Sequence, residues 1–245
     1  MRLTVLGCHS PYPGPGGATA GYLIQTEKTN LLLDCGSGVL SQLTRYLPLG
    51  RLDAVILTHF HHDHVADLGV LQYGVMVHQN IGDIAKPLDI YAPHEPKEQA
   101  SKVAYRNVTN YIPILPAAEV PIGDLHVQYL QTDHPVLCYA VKIQHNGKTI
   151  VYGADSGIQT EWLPFAESAD VFICEGTYLD RHTPPPNVGH LKVSEAAQIA
   201  QTIGCKQLVI THLFPGFTEE EVQAETTPFT TGVCHVAKIG LCLEL

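Results

Sequence analysis

The chain has 245 residues, of which 24 are acidic and 14 are Lys or Arg, so its formal net charge is −10. Proteins that hold nucleic acid by its phosphates normally present a basic face, and this balance therefore argues against a large nucleic-acid footprint. No apolar run approaches the ~20 residues of a membrane span and the N-terminus lacks the pattern of a secretion signal, so we expect a cytoplasmic protein with no membrane partner.

The first half of the chain alternates short apolar runs with amphipathic stretches. Strands are predicted at 2–8, 22–24, 30–34, 52–58 and 88–91. Helices are predicted at 36–46, 65–79 and 95–105.

The second half repeats this alternation. Strands are predicted at 125–130, 137–144, 149–153, 171–174, 206–211 and 233–243, and helices at 158–167, 193–203 and 218–226. Two consecutive β-then-α halves, about 1–118 and 119–245 with a break near 116–121, predict a single domain. Its expected class is α/β, built as a four-layer αββα sandwich. The seven cysteines show no CxxC spacing, which predicts reduced and mostly buried thiols.

A dense cluster of polar residues follows the predicted strand 52–58, with His59, His61, Asp63 and His64 inside six residues. The spacing of His59 and His61 places both side chains on one side of an extended segment. Neutral imidazole and carboxylate are ligands that suit Zn²⁺. A solvated histidine-rich loop is the alternative, but this order of residues directly after a buried strand is far more specific than a short motif.

Three further residues in the second half lie where strands end, namely His134, Asp155 and His212. Taken singly, each is better explained as a capping residue or as a buried polar group with its hydrogen bonds satisfied. Their order relative to the first cluster is what makes them candidate ligands.

The pattern His59-x-His61-x-Asp63-His64, followed by these three residues, resembles the metallo-β-lactamase superfamily. The resemblance runs from Leu6-Gly7 through Asp34-Cys35-Gly36 to the end of the chain and implies the αββα fold with a dinuclear metal site. It implies one ion held by His59, His61 and His134, and a second held by Asp63, His64 and His212. Asp155 would bridge the two ions.

The implied cofactors are two Zn²⁺ ions, with Mn²⁺ or Fe²⁺ as alternatives that the sequence does not separate. Such ions lower the pKa of bound water to near ~7 and polarise the oxygen of an electrophile. Asp63 would orient the attacking water by accepting a hydrogen bond from it.

The stretch Cys174–Tyr178 and the later segment Gly189–Gln198 are similar to ribonuclease Z and related phosphodiesterases. In those enzymes a histidine at the position of His190 contacts the scissile phosphate, and here Glu175 could orient it. The alternative is that His190 merely caps the helix 193–203. Leu191-Lys192 replaces the Ser-Thr of that branch, which puts the substrate contacts of these two positions in question.

Bacterial ribonuclease Z enzymes carry a tRNA-gripping arm between the third histidine and the bridging aspartate. Here His134 and Asp155 are only 21 positions apart, so the chain resembles small hydrolases of this branch that lack the arm. The predicted activity is hydrolysis of a phosphodiester in a small molecule or short RNA. Alternatives are a carboxylic ester, lactone or thioester hydrolase with the same metals, and a metal-binding protein without turnover. The sequence leaves the oligomeric state open, and the resemblance admits a homodimer.

Overall fold

The computed structural model describes residues 1–115, 119–229 and 232–245, which form two seven-stranded sheets packed face to face. The first six strands in chain order are β1 (Arg2–Gly7), β2 (Gly21–Gln25), β3 (Asn30–Leu33), β4 (Ala54–Ile56), β5 (Leu88–Ala92) and β6 (Thr109–Pro113). The last strand of the chain, β14 (Cys242–Glu244), returns to pair with β1. The order of the first sheet is therefore β14-β1-β2-β3-β4-β5-β6.

The second sheet contains β7 (Val120–Ile122), β8 (Leu125–Gln131), β9 (Tyr139–His145), β10 (Lys148–Tyr152), β11 (Val171–Glu175), β12 (Gln207–Thr211) and β13 (Val233–Val236). They lie in the order β13-β12-β11-β10-β9-β8-β7. Each sheet combines antiparallel hairpins with a run of four parallel strands, β3 to β6 in one and β10 to β13 in the other.

The helices lie on the two outer faces and complete four layers, which confirms the predicted αββα sandwich. They are α1 (Val39–Leu43), α2 (His62–Val65), α3 (Leu68–Asn80), α4 (Lys97–Ala100), α5 (Val193–Ile203) and α6 (Glu219–Thr226), with a 3₁₀ turn at Leu49–Arg51. Within the described residues, no helix has the length and apolar character needed to cross a bilayer.

Side-chain alternation along the strands divides the core into three layers. In β3, Leu31 and Leu33 face the space between the sheets, whereas Leu32 faces the outer layer of α1 and α3. In β11, Ile173 points between the sheets and Phe172 points toward α5. Because strand side chains alternate with a period of two, each sheet buries both of its faces.

Two predicted helices differ from the structure. Residues 158–167 form turns rather than a helix, because Pro164 lacks an N–H to donate and Ser168 adopts a left-handed φ of 56°. The helix predicted at 95–105 is reduced to the single turn of α4, since the chain then bends so that Tyr105 N–H bonds to the Thr109 carbonyl at the start of β6.

The predicted strand 233–243 is two strands in different sheets, β13 and β14. Gly240, at φ 87°, turns the chain between them, and Val5 N–H of the first sheet bonds to the Leu241 carbonyl. The strands β6 and β7 were not predicted. Of the break predicted near 116–121, residues 116–118 lie outside the described residues, and β7 begins at Val120.

Truncating a core aromatic side chain should cost much of the stability. Phe172 is fully buried and its ring packs edge-on against Trp162 at 5.0 Å between centroids. We expect Phe172→Ala to lower the free energy of unfolding by about 3–5 kcal/mol, measured by urea denaturation. The control Tyr46→Ala removes an aromatic ring that is 41 % exposed, and it should change stability by less than about 0.5 kcal/mol. Equal losses in the two variants would contradict this layering of the core.

Candidate metal centre

The carboxyl ends of several strands meet at one edge of the sandwich, and the predicted ligands follow those ends. His59 to His64 follow β4, and His134, Asp155 and His212 follow β8, β10 and β12 respectively. Parallel strands direct their carboxyl ends to the same side of a sheet, which is where open α/β sheets bind ligands. Residues that are up to 153 positions apart in the chain (His59 and His212) therefore share one site.

All seven predicted ligands converge there in two groups. In each group the potential ligand atoms lie within 4.8 Å of one another: His59, His61, His134 and Asp155 form the first, and Asp63, His64 and His212 form the second.

The Asp155 carboxylate lies between these groups. Its Oδ2 is 3.4 Å from His59 Nε2 and 3.8 Å from His134 Nε2, whereas its Oδ1 is 3.1 Å from His64 Nε2 and 3.2 Å from His212 Nε2. One carboxylate oxygen thus faces each group, which is the arrangement that a bridging ligand requires.

Hydrogen bonds outside the cluster fix the orientation of the imidazole rings. His64 Nδ1–H donates to Asp34 Oδ2 at 2.7 Å, and His134 Nδ1–H donates to the Gly189 carbonyl at 3.0 Å. His212 Nδ1 lies 2.8 Å from the Thr177 hydroxyl. These contacts leave Nε2 of each ring directed into the cluster, as in metal sites whose histidines are oriented through their second nitrogen.

Asp34, which sequence reasoning did not select, accepts several of the hydrogen bonds that surround the cluster. It is fully buried after β3 and accepts hydrogen bonds from Thr58 N–H at 2.8 Å, from the Thr58 hydroxyl at 2.9 Å and from Tyr152 O–H at 2.8 Å. Since Tyr152 belongs to the second sheet, Asp34 joins the sheets as well as orienting His64. The signals in the sequence are a carboxylate at the end of an apolar strand and the segment Asp34-Cys35-Gly36 within the resemblance, and neither indicated this role.

The residues present fit a divalent cation. Two buried atoms, His59 Nε2 and Asp155 Oδ1, have no hydrogen-bond partner in the described part of the chain. Ring nitrogens also face one another, with His64 Nε2 3.3 Å from His212 Nε2 and His61 Nδ1 3.2 Å from His134 Nε2. Inward-facing nitrogens and carboxylate oxygens are the donor set that binds Zn²⁺.

Most of the ligands have pKa values that keep them in the form that binds metal. Burial lowers the pKa of His59 to about 4 and also lowers the pKa values of His61 and His134. Burial would raise the pKa of Asp63, but its hydrogen bond with His212 and the nearby His64 charge outweigh burial and hold that pKa well below its usual range. For His64, burial is outweighed by the charges of Asp155 and Asp34, which raise its pKa, so a proton and a cation would compete for Nε2.

His190 lies beside both metal-ligand groups. Its ring stacks on His212 at 5.4 Å between centroids and meets His134 edge-on at 5.1 Å. Its Nδ1–H donates to Glu175 Oε1 at 2.9 Å, and burial of His190 is outweighed by the Glu175 charge, which raises its pKa to about 9. The capping alternative is wrong, because the N-cap residue of α5 is Lys192, whose N–H bonds to the Glu195 carboxylate.

The fully buried Glu175 is held by several donors. Ser156 N–H donates to its Oε1 at 2.7 Å, while Leu191 N–H and the Thr177 hydroxyl donate to its Oε2 at 3.2 and 2.5 Å. The position of the His190 ring is therefore fixed by a carboxylate that is itself rigidly held.

Ser10 is a second residue that sequence reasoning missed. Its hydroxyl donates to Asp63 Oδ2 at 2.9 Å, and its backbone N–H bonds to the Leu213 carbonyl at 3.0 Å. This loop of the first sheet is thereby attached to the loop that carries His212. Nothing in the spacing of the Pro- and Gly-rich segment around Ser10 indicated this contact.

A cleft of about 720 Å³ opens beside the cluster. Ser10, Thr177 and His190 line its inner end, and the rest of its wall includes Arg181, His182, Phe214 and Phe217. We call it the aromatic cleft. It gives a small molecule access to the residues around His190.

Comparisons with known proteins identify the family and the fold. The family described as "Beta-lactamase superfamily domain" matches residues 29–213. A probable metallo-hydrolase, YhfI of Bacillus subtilis, is 38 % identical over 245 residues, covering all of both chains. The crystal structure of that metallo-β-lactamase fold protein superimposes with a TM-score of 0.95 over 99 % of this chain and 98 % of the other. A ribonuclease Z of Clostridium kluyveri is 25 % identical over 287 residues, covering 92 % of each chain.

Neutralising Asp34 should weaken metal binding without replacing a candidate ligand. In Asp34→Asn, His64 Nδ1 loses its charged partner, and we expect zinc affinity to fall by ~10–100-fold in a chelator competition titration. Asp170→Asn is the matched control, because Asp170 is a largely buried carboxylate paired with Lys206 far from these loops. Similar zinc affinities in Asp34→Asn and Asp170→Asn would contradict the orienting role of Asp34.

Proposed function

Because the chain belongs to the β-lactamase superfamily, we propose that it is a dinuclear zinc-dependent hydrolase that cleaves a nucleotide or RNA-type phosphodiester. Superfamily membership supports hydrolase activity, and the two ligand groups, with one Asp155 oxygen facing each, support a pair of ions. His59, His61 and His134 would hold one ion, and Asp63, His64 and His212 the other. Zinc suits these donors, although Mn²⁺ or Fe²⁺ would accept them too.

When bound, such ions supply Lewis acidity and a nucleophile from water at neutral pH. The chain's own residues position the reactants. The Asp63 carboxylate, held by the Ser10 hydroxyl, accepts a hydrogen bond from the attacking water and aligns it with the phosphorus atom. The charge that develops on the phosphate oxygens then needs a donor on the open side of the site.

The observation that carries the proposal is the position of His190 at the inner end of the aromatic cleft, with Nδ1 engaged by Glu175. Its second ring nitrogen remains available to donate to a non-bridging phosphate oxygen or to protonate the leaving group. Metal ligands of this kind suit the hydrolysis of many classes of substrate. The additional hydrogen-bond donor at His190 favours a substrate that contains a phosphate.

The substrate we propose is a small molecule or a short phosphodiester. The span between His134 and Asp155 is filled by the hairpin of β9 and β10, so no arm for a large RNA emerges there. The net charge of −10 would repel a long polyanion. All seven cysteines are free thiols, which supports the cytoplasmic setting that we propose for the enzyme.

Two zinc ions should bind per chain and stabilise it. We expect elemental analysis of zinc-loaded protein to find two ions, and chelation to lower the melting temperature because bound metal stabilises the folded state. Asp155→Asn should lose at least one ion, whereas the exposed control Glu98→Gln should retain both. A single ion in both variants and in the parent chain would contradict the dinuclear assignment.

Removing the His190 imidazole should impair chemistry without removing metal. We expect His190→Ala to reduce turnover of bis(p-nitrophenyl) phosphate by ~10² or more, with zinc content unchanged. His126→Ala is the control, since that ring is exposed and pairs with Glu119 away from the site. Unchanged turnover in His190→Ala would contradict the proposed catalytic role of His190. Turnover of a lactone or thioester by the parent chain, with none of the phosphodiester, would overturn the phosphodiesterase proposal.

A further inference from the structure

The aromatic cleft contains more ring surface than the hydrolysis of a phosphodiester itself requires. Phe214 is 41 % exposed although it is a large apolar side chain. Its ring meets Tyr12 edge-on at 5.9 Å and lies tilted against Phe217 at 5.6 Å. Edge and tilted contacts hold the Phe214 ring in place without stacking another ring of the protein on its face.

Phe214 is also close to the candidate metal centre. It follows His212 by two residues, so the two Cα atoms are at most about 7 Å apart. Phe214 and His190 line the same cleft. A molecule whose phosphate reached His190 would therefore extend across Phe214 with the groups attached to that phosphate.

The charge of the cleft limits what this molecule can be. Among the described residues that line it, Arg181 is the one Lys or Arg side chain. Its guanidinium already pairs with Glu221 at 2.7 Å and lies 5.9 Å from the ring centroid of Phe217. Since Arg181 is engaged by Glu221 and His190 would contact the first phosphate, the cleft has little to attract a second or third phosphate, but its rings suit a flat, uncharged group.

We propose that the aromatic cleft is a nucleobase subsite, in which the base of a mononucleotide-sized phosphodiester stacks on Phe214. This assignment rests on the proposed function, since it takes the phosphate to lie at His190. Stacking on an aromatic ring tolerates any base, because every base has a π face. The enzyme would accordingly select for the presence of a base rather than for its identity.

Binding of a nucleoside monophosphate tests the subsite directly. Zinc-loaded protein is titrated by calorimetry with adenosine 5′-monophosphate and with ribose 5-phosphate, which lacks the base. We expect the nucleotide to bind at least ~10-fold more tightly. Phe214→Ala should abolish this difference while leaving ribose 5-phosphate affinity unchanged, and Phe214→Trp should preserve it.

Tyr73→Ala is the matched control, because Tyr73 is 58 % exposed on α3 and stacks on Tyr105 away from the cleft. It should bind both probes as the parent chain does. Equal affinities of the two probes for the parent chain, no binding of the nucleotide, or equal weakening of both probes by Phe214→Ala would overturn the subsite.

The two proposals fail separately. A protein that hydrolyses bis(p-nitrophenyl) phosphate but binds the two probes equally overturns the subsite and leaves the phosphodiesterase assignment standing. A protein that shows the Phe214-dependent preference for the nucleotide without hydrolysing the diester supports the subsite and overturns the activity.

Discussion

The candidate metal centre depends on a buried carboxylate that is not one of its ligands. Asp34 is fully buried, and a carboxylate left unpaired in such a place would cost several kcal/mol. Thr58, His64 and Tyr152 satisfy it with donors from both sheets. The packing of the sheets and the orientation of a candidate ligand, His64, therefore depend on the same hydrogen-bond network.

The net charge of the chain means that an anionic substrate would have to be recognised by short-range contacts. Its net charge of −10 gives no long-range attraction for an anion. If the proposed function holds, recognition of a phosphate would come from groups in direct contact with it, in particular His190 and the cations that the candidate ligands would hold. The remainder of a substrate would be recognised by apolar ring surface in the aromatic cleft, where net charge has little influence.

The sequence could predict that the seven candidate ligands converge, because each follows an apolar strand and strand ends converge in an αββα fold. It could not predict Ser10, Asp34 or Tyr152, because their roles arise from contacts between distant positions. Ser10 is 53 residues from Asp63, and Tyr152 is 118 residues from Asp34. The strands β6 and β7 were missed for a local reason, since both lie at sheet edges and contain proline, which is a poor strand former.

Backbone contacts hold the ligand-bearing loops together independently of any ion. Leu213 N–H bonds to the Cys8 carbonyl at 2.9 Å, and Cys35 N–H bonds to the His64 carbonyl at 2.8 Å. A β-carbon on Gly36 would lie 2.1 Å from the Asp63 carbonyl oxygen, so these loops are in direct contact and leave no room for a side chain at Gly36. A cation that bound here would lose its hydration water. The chain would lose little conformational entropy, because the loops are already held in place. Selectivity between competing metal ions would then depend on the fixed geometry of the candidate ligands. Replacing one ion by another would not move the loops.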